Sequence, residues 1–141
     1  VPEIWIAVAH GTGIKELELT TRDVPDYDEL MRHRLAILSE HSIGLDYIQS
    51  VIAGMEPLEG AKEFLDGLRA RGQVLILSDT YEQFADPLMR ALGRPTLFCN
   101  SLVVESDGRI VDYRLRIPDG KRVTVEALSS VGLEIAAVGD S

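Results

Sequence analysis

The sequence predicts an α/β fold in which a small all-helical unit precedes a core with parallel strands. Three observations lead there. The first third shows helical spacing with no strand-like run. After Gly54, helical stretches alternate with short, continuous apolar runs, the pattern of a sheet covered by its crossover helices. Polar residues follow directly on two of those runs, where an open parallel sheet presents its ligands. At 141 residues, with 45% hydrophobic and 26% charged residues, the chain has the size and balance of one ordinary globular domain.

Each element has a local reason. Pro2 suits a first helical position, and Ile4, Trp5 and Val8 share a face until Gly11 and Gly13 interrupt it. Asp26 with Glu29 three residues later, preceded by Pro25, marks a helix start. From there Tyr27, Leu30, Met31, Arg34, Leu35 and Leu38 recur at helical spacing. Leu45, Ile48 and Ile52 make a shorter helix that closes near Gly54. Pro57 and Gly60 introduce a helix with Ala61, Phe64, Leu65 and Leu68 expected inward, and Gly72 stands where a C-terminal cap belongs. Residues 74–77 form an apolar run expected to be a strand covered on both faces. A helix through Phe84, Leu88 and Leu92 should end at Gly93, and a second strand starts at residues 96–98. Asp107-Gly108, flanked by residues 102–104 and 110–113, is a hairpin signal. A last helix carries Val123, Ala127, Leu128 and Val131 before Gly132, and residues 135–138 read as a final buried strand.

Composition narrows the function classes. Fourteen Lys+Arg against 23 Asp+Glu give a formal net charge of -9, so no basic field exists to hold nucleic acid or an anionic membrane. No apolar run approaches the roughly 18 residues that span a bilayer. One cysteine, Cys99, excludes a disulfide within the chain and a multi-cysteine zinc site. These features predict a cytoplasmic, non-membrane protein that handles small molecules.

The residues after the apolar runs are the first candidates for chemistry. Ser78, before a helix start expected near Tyr81, combines a hydroxyl with free backbone N–H groups, which is an anion site or simply a helix cap. Asp140 follows the last run behind a glycine; a carboxylate there suits Mg²⁺, or again caps a helix. Lys121 precedes the last helix and can reach over the strand ends toward a phosphate, although most lysines near turns are only solvated. Arg34 stands inside an apolar stripe, so its guanidinium needs an anion or a route to water. His10, His33 and His41 share no metal-binding spacing, and Cys99 reads as a small packing residue.

Taken in order, these pieces resemble the haloacid dehalogenase (HAD) type phosphohydrolases, and within them the phosphoserine phosphatases. A helical stretch, then residues 74–78 (VLILS), then Lys121, then residues 137–141 (AVGDS) match that family's second to fourth motifs. Residues 27–34 (YDELMRHR) are similar to its substrate-binding helix, and residues 57–60 (PLEG) to its return into the core. The opening VPEIW, residues 21–27 (TRDVPDY) and residues 77–80 (LSDT) are similar to the bifunctional phosphoserine phosphatase/homoserine phosphotransferase subgroup, the ThrH type. The resemblance covers essentially the whole chain; its ordered set of motifs is specific where any single one is weak.

The resemblance implies a HAD-like Rossmannoid parallel sheet with a small helical cap, the cap at residues 1–54 and a partial core at 55–141. It implies a Mg²⁺-dependent phosphomonoesterase that hydrolyses O-phospho-L-serine through an aspartyl-phosphate, with phosphoryl transfer to homoserine as a further activity. Ser78 and Lys121 would hold the transferring phosphoryl group, and Asp140 would be a Mg²⁺ ligand. Arg34 would bind the substrate carboxylate with Tyr27 beside it. Glu3 would contact the substrate amine, and Asp79 and Thr80 would border the site. A small phosphate ester is the expected partner, and a homodimer is plausible by the same resemblance. The nucleophile motif, on the sheet's central strand, would lie before Val1, and the acid expected four residues after Asp140 would lie beyond Ser141. The chain is therefore expected to be an inactive fragment, truncated at both ends, with open sheet edges. A HAD phosphatase for another small phosphate ester, or a non-catalytic remnant that binds phospho-amino acids, are the competing readings.

Overall fold

The computed structural model describes residues 4–139. Three helices come first: α1 (Ile4–Thr12), α2 (Tyr27–Glu40) and α3 (Leu45–Ala53), with a 3-10 turn at Lys15–Glu18 between the first two. Then follow α4 (Ala61–Arg69), β1 (Leu75–Tyr81), α5 (Glu82–Ala91), β2 (Thr96–Val104), β3 (Ile110–Arg114) and α6 (Gly120–Ser130). The sheet runs β1-β2-β3. β1 and β2 are parallel, joined by the crossover helix α5 as parallel strands require. The second half of β2 pairs antiparallel with β3, setting Ser101 opposite Arg114 and Leu102 opposite Tyr113. The expected mixed fold with a parallel-containing sheet is present, and the two short runs expected on either side of residue 100 are one continuous strand.

The helix ends follow from their residues. The Asp26 carboxylate accepts the Glu29 N–H at 3.0 Å, capping α2 where the Asp-x-x-Glu spacing predicts. α6 ends in a Schellman arrangement: the Leu133 N–H reaches the Leu128 carbonyl and the Gly132 N–H that of Ser129. Gly132 adopts the positive φ, +86°, that this closure needs.

One cluster of buried side chains joins the helical N-terminal third to the sheet. Val8, Met31, Leu38, Ile48 and Ile52 belong to it together with Phe84, Leu88 and Leu102. Two polar contacts reinforce this seam. Pro87, inside α5, has no N–H to give the Gln83 carbonyl, and that oxygen accepts the Gln49 side-chain amide of α3 at 3.0 Å instead. At the hairpin, the Gly108 carbonyl accepts the Leu45 N–H at 2.9 Å. A Cβ at Gly44 would meet that same carbonyl at 3.0 Å, a tight contact that a glycine avoids.

Several expectations are corrected. Residues 74–77 are not covered on both faces: Leu75 is 39% exposed, at the edge of the sheet. The strand also runs on through Ser78, Asp79 and Thr80 to Tyr81, which caps the helix that follows at Glu82. Phe64 and Leu68 are exposed, and α4 buries only Leu65. Gly72 is not the cap; α4 ends at Arg69 with Ala70 as its cap, and the Gly72 N–H returns to the Leu68 carbonyl. Residues 135–138 form no strand among the described residues, and Val138 is 88% exposed. The run has strand composition, but a strand exists only as half of a ladder; the described sheet comprises β1, β2 and β3 alone.

Candidate active site

The site begins with an irregularity in β1. Leu77 stands opposite Phe98, yet the next paired residue, Tyr81, stands opposite Asn100, with the register shifting between them. The bulge carries Ser78, Asp79 and Thr80 out of the ladder and re-aims their side chains. Within it the Ser78 hydroxyl accepts the Thr80 N–H at 3.3 Å. Asn100, 8% exposed, pins the bulge from β2. Its amide donates to the Asp79 carbonyl at 3.0 Å, and its oxygen accepts the Arg116 N–H at 3.0 Å. Arg116 in turn stacks its guanidinium 4.7 Å from the Phe98 ring and donates to the Thr124 hydroxyl at 2.7 Å. This anchors the start of α6.

Lys121, the second residue of α6, thereby faces the bulge, with its ammonium 2.8 Å from the Asp79 carboxylate. Ser78, Asp79 and Lys121 line one recess with Leu77, Asn100 and Gly120. A hydroxyl, an ammonium engaged by the Asp79 carboxylate and a helix start thus border one small hollow. Sequence reasoning placed Ser78 and Lys121 there and missed Asn100. Its signal was a lone amide in the otherwise apolar beginning of β2.

Arg34 occupies a second cluster, on the helical side. It is 6% exposed although charged. Its guanidinium lies 4.5 Å from the Trp5 ring centre and donates to the Leu19 carbonyl at 2.6 Å. Tyr27, at the start of the same helix, places its hydroxyl 2.7 Å from that of Tyr81 at the end of β1. Both phenols feel the Arg34 charge, and Tyr27 also feels that of Asp79. The two clusters thus meet where Tyr27 of α2 reaches Tyr81 at the end of β1. Tyr113 of β3 completes the contact, setting its ring edge-on to Tyr27 and donating to Asp28 at 2.5 Å.

Glu3 and Asp140 lie outside the described residues. Among the described residues no group of three His, Cys, Asp or Glu side chains could hold a metal ion. The carboxylate in the recess, Asp79, is engaged with Lys121, so the described side chains alone do not make a Mg²⁺ site. His10 faces solvent beside Glu18. Cys99 is half-buried, and burial first, then the Glu82 carboxylate, raise its thiol above the ordinary range, in keeping with a packing role. A wider cleft of about 340 Å³ opens beside Cys99, bordered by Asp86 and Arg94, which pair at 3.5 Å.

The tyrosines give a pH prediction. Burial is the main cause that raises all three hydroxyls: Tyr27 and Tyr81 clearly, and Tyr113, where Asp28 adds to it, to about 12. A folded pKa above the unfolded value of about 10 favours the folded state fully below pH 10. That contribution is lost as pH rises through the folded values. The melting temperature should therefore fall between about pH 10 and 12, with tyrosinate absorbance at 295 nm rising together with unfolding. Complete tyrosine ionisation in the still-folded protein would contradict the packing described.

Comparison with known proteins bears on the fold and the family. A family model described as haloacid dehalogenase-like hydrolase matches residues 6–141. Over all 141 residues the chain is 56% identical to phosphoserine phosphatase ThrH of Pseudomonas aeruginosa, spanning 69% of that protein. It is likewise 56% identical to a phosphoserine phosphatase of Pseudomonas syringae pv. tomato, spanning 60% of it. Among solved structures, a phosphoserine phosphatase described as a phospho-aspartyl intermediate analogue superposes with a TM-score of 0.71 at 20% identity. That superposition covers 94% of this chain and 66% of the other. The phosphoserine phosphatase from T. onnurineus gives 0.69 at 21% identity, covering 90% and 64%. At such identities the superpositions speak for the fold, while the family match and the 56% relatives speak for descent. The chain belongs to the haloacid dehalogenase-like hydrolase family.

Proposed function

We propose that this chain carries the substrate-binding and phosphate-binding parts of a phosphoserine phosphatase. The observation that carries the reading is the single recess lined by Ser78 from the bulged end of β1 and Lys121 from the first turn of α6. Support comes also from the match, over all 141 residues of this chain, to two relatives named phosphoserine phosphatase. In this reading Ser78 and Lys121 hold the phosphoryl oxygens, Asp79 and Thr80 border them, and Arg34 with Tyr27 receives the substrate carboxylate. Glu3 takes the amine. Residues 1–54 act as a cap over a core formed by the rest.

The chemistry is a double displacement. A carboxylate nucleophile, on a segment that precedes Val1 in this reading, attacks phosphorus and forms an acyl-phosphate bond. The ester P–O bond breaks, and the departing serine oxygen takes a proton from a second acid, which regains one from the water that attacks next. Water then attacks the aspartyl-phosphate, releasing inorganic phosphate and restoring the carboxylate. Two moderate barriers replace one high one. Lys121 offsets the charge that accumulates as two anions meet. Mg²⁺, for which Asp140 is the proposed ligand, would supply further charge neutralisation when bound. Homoserine in place of water as phosphoryl acceptor, a role in serine biosynthesis, a homodimer and a cytoplasmic location complete the proposal.

The test is phosphate release by the full-length gene product from a panel of O-phospho-L-serine, O-phosphoethanolamine and sugar phosphates, with Mg²⁺ and after chelation. Turnover of phosphoserine at the highest kcat/KM, abolished by chelation and restored by Mg²⁺, is the expected result. Preference for a sugar phosphate would transfer the assignment to another HAD phosphatase. Binding of phosphoserine without turnover would identify a non-catalytic receptor.

A further inference from the structure

The junction between α2 and β1 contains a residue that the functional reading leaves without a role. Tyr81 ends β1, three residues past Ser78, and is 1% exposed. Its ring is wedged edge-on against Phe84 and Tyr113, at 5.7 and 6.3 Å between centres. A hydroxyl buried so fully requires a hydrogen-bond partner, and it has one in the Tyr27 hydroxyl at 2.7 Å. Tyr27 is half-buried and stands seven residues, two helical turns, ahead of Arg34 on the same face of α2.

We propose that Tyr81 is a positioning residue that sets the specificity of the site for a substrate carboxylate by orienting the hydroxyl of Tyr27. Either hydroxyl can donate across 2.7 Å, and donation from Tyr81 to the Tyr27 oxygen is the sense that satisfies the more deeply buried proton. Tyr27's own proton is then left for a second acceptor, and Arg34 is near enough for its charge to act on that hydroxyl. A carboxylate held by the Arg34 guanidinium would accept that proton as a second, neutral hydrogen bond. The fixed bond also ties the helix that reads the carboxylate to the strand that presents Ser78, so the two ends of the substrate are measured against each other. This inference rests on the phosphoserine reading, because it assigns the carboxylate end of that same site.

The test uses the full-length gene product with Tyr81→Phe, Tyr27→Phe and the double variant. The substrates are O-phospho-L-serine and O-phosphoethanolamine, which lacks the carboxylate. Tyr81→Phe should raise KM for phosphoserine about five- to tenfold, the worth of one ordinary hydrogen bond, because Tyr27 keeps its hydroxyl but loses its fixed orientation. It should change kcat less than threefold and leave the phosphoethanolamine KM within twofold. Tyr27→Phe should do the same, and the double variant should be no worse than the poorer single one, as for two members of one bond. Equal losses on both substrates would mark Tyr81 as merely structural, and unchanged KM values or multiplying effects would equally overturn the inference. Should Tyr81→Phe fail to fold, Tyr81→Trp, which fills the site without a hydroxyl against Tyr27, supplies the comparison, and a phosphoserine KM within twofold of wild type in it overturns the inference. A wild-type protein without phosphoserine turnover would overturn the functional reading, whereas an active wild type with an unaltered Tyr81→Phe variant overturns this inference alone.

Discussion

Replacing Arg34 by alanine should lower kcat/KM for O-phospho-L-serine by about two to three orders of magnitude, the usual cost of removing one partner of a desolvated charge pair. The location explains the size. At 6% exposure the guanidinium is shielded from bulk water, so its attraction for a carboxylate is only weakly screened. It is also held in place, by the Trp5 ring at 4.5 Å and by the Leu19 carbonyl at 2.6 Å, which limits the entropy lost on binding. These same contacts mean that Arg34→Ala should cost stability, about 2–4 kcal/mol for a buried, bonded side chain. Arg34→Lys separates the two effects. It keeps the charge and loses the planar fork, so it should recover much of the melting temperature but little of the discrimination for phosphoserine over phosphoethanolamine. Activity within threefold of wild type in Arg34→Ala would remove Arg34 from the substrate site.

Lys121→Met presents the opposite profile, a large loss of kcat with little change in stability. Removal of one preorganised donor to developing charge costs roughly two to three orders of magnitude in kcat. The stabilising value of its ion pair with Asp79 is small, because the two side chains are 42% and 67% exposed and such pairs contribute little. The melting temperature should move by no more than about 3 °C, measured beside steady-state turnover. A kcat unaffected by Lys121→Met would dissolve the anion cradle on which the phosphatase reading stands. A large melting shift would instead recast Lys121 as a structural tie between α6 and the β1 bulge.

Much of the fold is legible because its causes are local. Asp26 and Glu29 mark the start of α2, and Asp107-Gly108 marks the hairpin, since capping and positive-φ turns are decided within a few residues. Failures occur where the deciding partner is distant in sequence. The apolar character of residues 135–138 cannot disclose whether a neighbouring strand is present, and among the described residues they remain outside the sheet. Phe64 and Leu68 keep helical spacing but are exposed, because periodicity identifies a face without supplying a surface to cover it. The bulge at residues 78–80 is likewise hidden: its register depends on Asn100 and Tyr81, which meet only across the sheet.

By itself the sequence determined the α/β class, the helical unit ahead of the sheet, and which polar residues stand beside strand ends, because periodicity, caps and turns are properties of short segments. Only the tertiary structure decided that Lys121 meets Asp79, that Asn100 pins the bulge and that Tyr81 reaches Tyr27. Each of those contacts joins residues brought together by burial of one shared apolar cluster. The distances that follow from such packing are set by the whole chain and written in none of its parts.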